Sequence, residues 1–145
     1  MSAPGTLELS RLLKSMNPVL DEETYVFATI ANDTSNEKYI EFLGQAVSRA
    51  EMIFKEAEGW TVIVKQHVAD ELNMDFIFPC RKVTLNVHSS LDAVGFLAAV
   101  TTRLARSVNI GINPVSGYYH DHLYVPLGKE EQVVAEIEAM AAEQK

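Results

Sequence analysis

The same order of predicted elements occurs in both halves of this chain. The first half reads strand, helix, strand, strand, helix, from Tyr25–Ile30 to His67–Leu72. The second half repeats that order from Val83–Val87 to Lys129–Glu143. Alternating apolar residues, or runs rich in aromatic and β-branched residues, indicate the strands, and apolar residues three and four positions apart indicate the helices. Only a small set of α+β architectures accommodates such an order.

We therefore predict an α+β fold built from two tandem βαββα units. One such unit alone leaves an open sheet edge and an uncovered helix layer, so the two units are expected to share one sheet with the helices on one face. The expected divisions are an N-terminal docking helix in residues 1–18, a first unit in 19–78 and a second unit in 79–145. Apolar spacing between Leu7 and Met16 indicates the docking helix.

Three elements of the second half bear on function. A helix is predicted over Leu91–Arg106, with Ser89 and Ser90 available as caps. The strands Val108–Val115 and Leu123–Val125 are expected to form a hairpin behind it. The start of this helix, with its free N–H groups, and the segment Ser116 to Val125 are each a candidate binding segment.

Composition restricts the partners. The 145 residues carry a formal net charge of -8, from 12 Lys and Arg against 20 Asp and Glu, which repels nucleic acid and anionic lipid. Cys80 is the only cysteine, so no internal disulfide can form and a reducing compartment is favoured. No stretch has the pattern of a signal peptide or the length of a membrane span. We predict a cytoplasmic protein that binds neither nucleic acid nor membrane.

The second half resembles the ACT family over HSSLDAVGFLAAV, His88 to Val100. The whole chain resembles a bacterial group of short tandem ACT-like proteins of unassigned function, over LSRLLKSMNPVL, YVF, EAEGWT, VTLNVHSSLDAVGFLAAV and SGYYHDHLYVP. This resemblance implies a ferredoxin-like fold and a regulatory or sensing module related to aspartokinase effector domains. In those relatives, paired ACT units bind an amino acid between them, at the corner where the first strand turns into the following helix.

An α-amino acid in that corner needs a donor for its carboxylate and an acceptor for its ammonium. Backbone N–H groups at Ser90–Val94 are the expected donors, because a helix start favours anions. Asp121, or carbonyls near Asn113 and Val115, are the expected acceptors. The candidate ligand-binding residues are Ser89, Ser90, Leu91, Asp92, Val94, Gly95, Phe96, Asn113, Val115, Tyr118, His120, Asp121 and Glu58.

Several of these residues also have an ordinary structural interpretation. Gly95 costs about 1 kcal/mol in a helix relative to Ala, which either close approach of a ligand or tight packing on the sheet would explain. Glu58 is either a ligand contact or part of a solvated turn that Gly59 makes possible. Cys80 precedes two basic residues that could lower its thiol pKa, although an inert thiol is the favoured interpretation.

The histidine-rich strand offers residue types that could bind a metal or act in catalysis, but we predict neither function. His120 and His122 would share one strand face, and His88 would have to be a third ligand. Asp121 could act with a histidine in acid/base chemistry, but neighbouring strand residues point to opposite faces. The sequence carries no nucleophile or nucleotide motif. We expect no catalytic residue, no metal, no cofactor and no enzyme activity.

The predicted function is regulation or sensing through a small-molecule ligand, with amino acids as the expected class. The alternative is an interaction or oligomerisation module whose sheet edges pair without a ligand. A homodimer is expected in either case, because self-association covers exposed edges and helix faces.

Overall fold

The computed structural model describes residues 6–33, 35 and 37–144. Residues 1–5 of the predicted segment 1–18 lie outside the described residues, as do Thr34 and Asn36 of the polar stretch 32–37, which the sequence predicts as a loop. The chain divides into two compact units. The central unit is Glu23–Cys80, and the terminal unit is Met1–Glu22 together with Arg81–Lys145.

The α+β class is confirmed, and the predicted order of elements is the observed one. It occurs as β2-α2-β3-β4-α3 and again as β5-α4-β6-β7-α5. The helices are α1 Thr6–Lys14, α2 Glu37–Ser48, α3 Gln66–Glu71, α4 Phe96–Ser107 and α5 Glu130–Ala142. The strands are β1 Pro18–Leu20, β2 Tyr25–Ala31, β3 Met52–Lys55, β4 Gly59–Lys65, β5 Phe76–Leu85, β6 Asn113–Ser116 and β7 Asp121–Pro126.

The central unit is organised around β2 and β4, which pair antiparallel along their whole lengths. β3 pairs with β4 on one side, and the start of β5 pairs with β2 on the other. Alternate residues of each strand point to one face, where they pack with α2 and α3. That core contains Val26, Ala28, Ile30, Ala46, Val62, Val64, Val68, Ala69 and Met74.

The terminal unit has its own core beneath α1, α4 and α5. β7 lies between β6 and β5, and β1 pairs antiparallel with the end of β5. The core residues come from α1 and the segment after it, from the two strands β5 and β7 and from the two helices α4 and α5: Leu13, Met16, Val83, Leu85, Phe96, Val100, Leu104, Leu123, Val125, Val133, Ile137 and Met140. These contacts fix the start of α4 above β7, which places the candidate site.

The helix predicted over Leu91–Arg106 begins later, at Phe96. The prediction was wrong over residues 91–95, which form turns in which the Asp92 amide donates to Ser90 Oγ at 3.1 Å. Gly95 explains the difference, since it precedes the helix with φ +86° rather than lying within it. Glycine reaches this left-handed conformation at little cost, and other residues do so with strain.

Two strand boundaries also differ from the prediction. β5 begins at Phe76 rather than Val83, because Phe78 at φ +57° forms an irregularity that accommodates Pro79 and breaks the alternating pattern. The strand predicted over Val108–Val115 is shortened to β6, since Asn109 adopts φ +58°, a left-handed conformation that asparagine tolerates. Short β1 was not predicted.

Within the described residues, no helix has the length and apolar character needed to cross a membrane.

Candidate functional site

A cavity of about 250 Å³ lies in the terminal unit, where the turn after β5 meets the start of α4. Its walls combine hydroxyl groups and one carboxylate with apolar side chains. The lining residues are Ser89, Ser90, Leu91, Ala93, Phe96, Leu97, Ser116, Gly117 and Asp121. Pockets for drug-sized ligands begin at about 300 Å³, so this cavity suits a smaller metabolite.

Asp121 supplies the carboxylate of this cavity. The residue is only 8% exposed, and both of its oxygens accept hydrogen bonds from serine hydroxyls. Ser116 Oγ donates to Oδ1 at 2.6 Å, and Ser89 Oγ donates to Oδ2 at 3.1 Å. A carboxylate can accept about four hydrogen bonds, so each oxygen can accept one more. The two serines therefore hold a buried acceptor in a fixed orientation without saturating it.

The hairpin between β6 and β7 brings these groups together. Ser116 pairs with Asp121 in the register of the two strands, which places both side chains on the same face. The turn is closed by the Gly117 amide, which donates to the His120 carbonyl at 2.8 Å. A Cβ atom at Gly117 would lie 3.2 Å from that carbonyl oxygen, so a larger residue would be crowded.

The start of α4 differs from Asp121 in charge, because a helix start carries partial positive charge. Phe96 and Leu97 line it, and Gly95 has no side chain with which to cap the helix. In any α-helix the first backbone N–H groups have no intrahelical acceptor and carry the positive end of the helix dipole. The start of α4 thus offers anion-binding donors beside a cavity whose wall also carries the Asp121 carboxylate.

Five residues predicted from the sequence line this cavity together: Ser89, Ser90, Leu91, Phe96 and Asp121. Glu58 belongs to the central unit and is exposed. The remaining predicted residues are not among the described lining residues, although all lie in the terminal unit: Asp92, Val94, Gly95, Asn113, Val115, Tyr118 and His120.

The backbone that was predicted to receive the ligand carboxylate has a different local structure. The N–H groups at Ser90–Val94 were expected to form a helix start, but they belong to turns, and Val94 is 86% exposed. The free helical N–H groups belong instead to residues 96–98, because Gly95 precedes the helix. Four further lining residues were not predicted from the sequence: Ala93, Leu97, Ser116 and Gly117. The pairing of Ser116 with Asp121 was detectable in principle, since both flank a short turn.

Aromatic rings surround the outer part of the hairpin. Tyr118 and Tyr119 are exposed and stack edge to face, with ring centroids 4.8 Å apart, and the His88 ring lies 5.9 Å from that of Tyr119. Thr84 Oγ1 and His122 Nδ1 are hydrogen-bonded at 2.9 Å. Among the described residues, no group of three or more His, Cys, Asp or Glu side chains is arranged to hold a metal ion.

The thiol of Cys80 lies in the central unit and is fully buried. Its Sγ donates to the Tyr25 carbonyl at 3.3 Å. Burial disfavours the charged thiolate and raises the pKa of the Cys80 thiol to about 12. The basic residues that follow it therefore do not activate it.

This raised pKa predicts slow alkylation of Cys80. At pH 8 the folded chain should react with iodoacetamide roughly 1,000-fold more slowly than the chain in urea, because a thiol of pKa about 12 provides so much less thiolate than one at the ordinary 9.0. Mass spectrometry of timed samples measures both rates. Equal rates would show that the thiol is accessible and ionised as in an unfolded chain.

The ACT domain family model matches residues 4–81. A protein of unknown function from Vibrio cholerae, described as a possible transport protein, is 33% identical, with a TM-score of 0.76 over 92% of this chain and 96% of that chain. No curated protein matches the chain.

Aspartate kinases supply further structural matches. The ligand-free regulatory subunit of aspartate kinase from Thermus thermophilus is 13% identical, with a TM-score of 0.65, covering 86% of this chain and 97% of that subunit. Aspartokinase III of Escherichia coli, solved with aspartate and ADP, is 15% identical, with a TM-score of 0.63, covering 87% of this chain and 33% of that enzyme. At these identities the likeness concerns the fold.

Proposed function

Since this chain belongs to the ACT domain family, we propose that it is a regulatory protein that binds an α-amino acid in the cavity at the start of α4. ACT domains are in general small-molecule-binding regulatory domains, as in the regulatory subunits of aspartate kinases. The observation that carries the proposal is the buried carboxylate of Asp121, held by two serine hydroxyls on the wall of this cavity. We further propose that the chain has no catalytic activity of its own.

The charges of the cavity match those of an α-amino acid. The ammonium group would donate to Asp121, whose oxygens each retain one acceptor site. The carboxylate would accept from the backbone N–H groups at the start of α4. Ala93 and Leu97 supply apolar surface between the two ends. The volume of about 250 Å³ favours a small or medium side chain.

The aspartate kinases support the choice of amino acids as the ligand class. One of them was solved with aspartate bound, and its fold is similar to that of this chain. Their low identity leaves the particular amino acid open, and Asp121 and the absence of Lys or Arg from the described lining argue against an acidic side chain. We therefore propose a neutral or basic amino acid.

Thermal unfolding with a panel of amino acids tests the proposal. A ligand that binds only the folded chain at about 100 times its Kd adds roughly 2.7 kcal/mol to the free energy of unfolding, which corresponds to roughly 5 to 10 °C in melting temperature. N-acetyl derivatives of the same amino acids are the matched control, since they lack the ammonium group. If no amino acid shifts the melting temperature, or if the acetylated forms shift it equally, the proposal is wrong.

The second candidate function is an interaction module. It is favoured by large side chains exposed in the terminal unit, among them Val94 at 86%, Tyr118 at 73% and Leu91 at 70%. Surfaces of this kind are often covered by a partner. We propose a homodimer on this basis, and sedimentation at micromolar concentration should show a species of twice the chain mass. A monomer would overturn the dimer and leave ligand binding unaffected.

The organisation of the chain is also part of the proposal. We propose that residues 19–78 and 79–145 are two ACT-like units in tandem, preceded by the docking helix within 1–18. The recurrence of strand, helix, strand, strand, helix supports this division. That the two units share a sheet stays a prediction. We propose the cytoplasm as the place of action, because the one cysteine is a thiol.

A further inference from the structure

A second, larger cavity of about 490 Å³ lies in the central unit. Its surface is almost entirely apolar, apart from two carboxylates and two threonines. The lining residues are Phe27, Ala28, Thr29, Glu56, Thr61, Asp75, Phe76 and Ile77. None of these residues belongs to the site proposed above, so this cavity requires its own explanation.

Four residues that line this cavity, Phe27, Thr29, Thr61 and Ile77, lie on the face of the central sheet that points away from α2, whereas Ala28 and Phe76 belong to the core on the other face. Even-numbered residues of β2, such as Ala28, belong to the core that packs against α2. Odd-numbered residues therefore point to the other face. There Thr29 pairs with Thr61 of β4, and Phe27 pairs with Ile77 of β5. These two cross-strand pairs join three neighbouring strands, β4, β2 and β5, at the base of the cavity. The Ile77 side chain there is 73% exposed.

Two carboxylates lie on this apolar surface without a cation. Thr61 Oγ1 donates to Glu56 Oε1, which holds that carboxylate at the cavity. In the described part of the chain, neither Glu56 nor Asp75 forms an ion pair, and no Lys or Arg lines the cavity. The neighbouring Lys55 places its ammonium over the Trp60 ring, 5.7 Å from the centroid.

We propose that this cavity binds a small organic cation, namely an ammonium group carried on an aromatic or branched hydrocarbon body. The hydrocarbon would cover Phe27 and Ile77, which removes apolar surface from water. The ammonium would lie near Glu56 and Asp75, whose charges it complements. Because no described lining residue is a cation, the carboxylate of a free amino acid would be repelled here. The cavity thus selects amines over amino acids, which is the reverse of the site in the terminal unit.

Amide chemical shifts of the ¹⁵N-labelled full chain test this proposal with four probes of similar size. 2-Phenylethylamine is the cation, L-phenylalanine adds a carboxylate, 2-phenylethanol is neutral and 3-phenylpropionate is an anion. 2-Phenylethylamine should shift the amides of Phe27, Thr29 and Ile77 at millimolar concentration and bind at least about fivefold more tightly than the other three. Equal binding of 3-phenylpropionate, or no shift at these amides, would overturn the proposal.

Substitutions assign the selectivity to the two carboxylates. Glu56→Gln and Asp75→Asn should each lower the affinity of the chain for 2-phenylethylamine about two- to fivefold, which is the effect expected of exposed charge pairs. A glutamine at position 56 can still accept from Thr61, so the hairpin should remain folded. Glu58→Gln is the matched control, because Glu58 is exposed in the same turn but is not among the described residues that line the cavity. The affinity of this variant for 2-phenylethylamine should be unchanged.

A second copy of the chain is the competing occupant. If 2-phenylethylamine fails to bind and Ile77→Asp converts a dimer into a monomer in sedimentation, this face is a self-association surface and the proposal is wrong. The proposal does not depend on the function of the terminal unit. Amino-acid binding to the terminal unit is measured in the same spectra, as shifts of the amides of Ser89, Phe96 and Asp121 when an amino acid is added.

Discussion

Replacing Asp121 with Asn is expected to lower the affinity of the chain for its amino acid by about 1 to 3 kcal/mol, or roughly 5- to 150-fold. The substitution keeps the shape of the side chain and removes the charge that the ligand ammonium would meet. One oxygen remains to accept from Ser89 or Ser116, and the amide can donate to the other hydroxyl. The free protein should therefore lose little stability. Titration calorimetry with the amino acid found by thermal unfolding measures the loss.

Asp92→Asn is the matched control for this substitution. Asp92 carries the same charge in the turn before α4, but it is exposed and is not among the described lining residues. Its removal should change the affinity by no more than about twofold, since exposed charges interact weakly in water. If Asp121→Asn lowers the melting temperature of the free chain and leaves the ligand-induced shift intact, Asp121 only holds the hairpin together and the site is misassigned.

A ligand without the ammonium group makes this test sharper. The 2-hydroxy acid that corresponds to the amino acid keeps the carboxylate and the side chain but carries no positive charge. The wild-type chain and Asp121→Asn should bind this hydroxy acid with almost the same affinity. The hydroxy acid carries no positive charge, so removing the negative charge of Asp121 removes no charge pair. The difference between the two ligands therefore isolates the interaction with Asp121.

Regular elements were predictable from this sequence because their patterns are local. The aromatic and β-branched residues of β2 and the helical spacing in α5 appear within a few residues, and the observed bounds differ from the predicted ones by only a few positions. Conformations that depend on a single residue were harder to predict from the sequence. The left-handed Gly95 moved the start of α4 by five positions, and Phe78 at φ +57° displaced the alternation of β5.

The site was predictable in part for a related reason. A strand followed by Ser89 and Ser90 marks the approach to a helix, whichever residue begins it, so these residues lie at the cavity despite the misplaced helix start. The bond from Ser89 to Asp121 joins residues 32 positions apart, and no local pattern predicts it. Such contacts depend on how β7 is placed beside α4, which is a tertiary property.

Gly59→Ala is expected to destabilise the chain by about 1 to 3 kcal/mol and to lower its melting temperature by roughly 3 to 10 °C. The sequence predicts a tight turn at Gly59, but the residue is buried where β4 begins, at φ +157°. A Cβ atom there would lie 2.5 Å from the Ile30 carbonyl oxygen and 3.2 Å from the Ala31 Cα. Because both atoms are backbone, β2 and β4 would have to separate at this pair. Thermal and urea unfolding measure the effect.

Gly44→Ala applies the same chemical change where there is room for it. Gly44 is exposed within α2, and apart from its chain neighbours and the backbone of its own helix no described atom would lie within 4 Å of a Cβ there. Alanine should stabilise the helix by about 0.5 to 1 kcal/mol, because it restricts the unfolded chain and favours helical backbone. The two substitutions should therefore shift the melting temperature in opposite directions. If both raise it, the backbone at Gly59 tolerates a side chain, and the close approach of β4 to Ile30 does not limit stability.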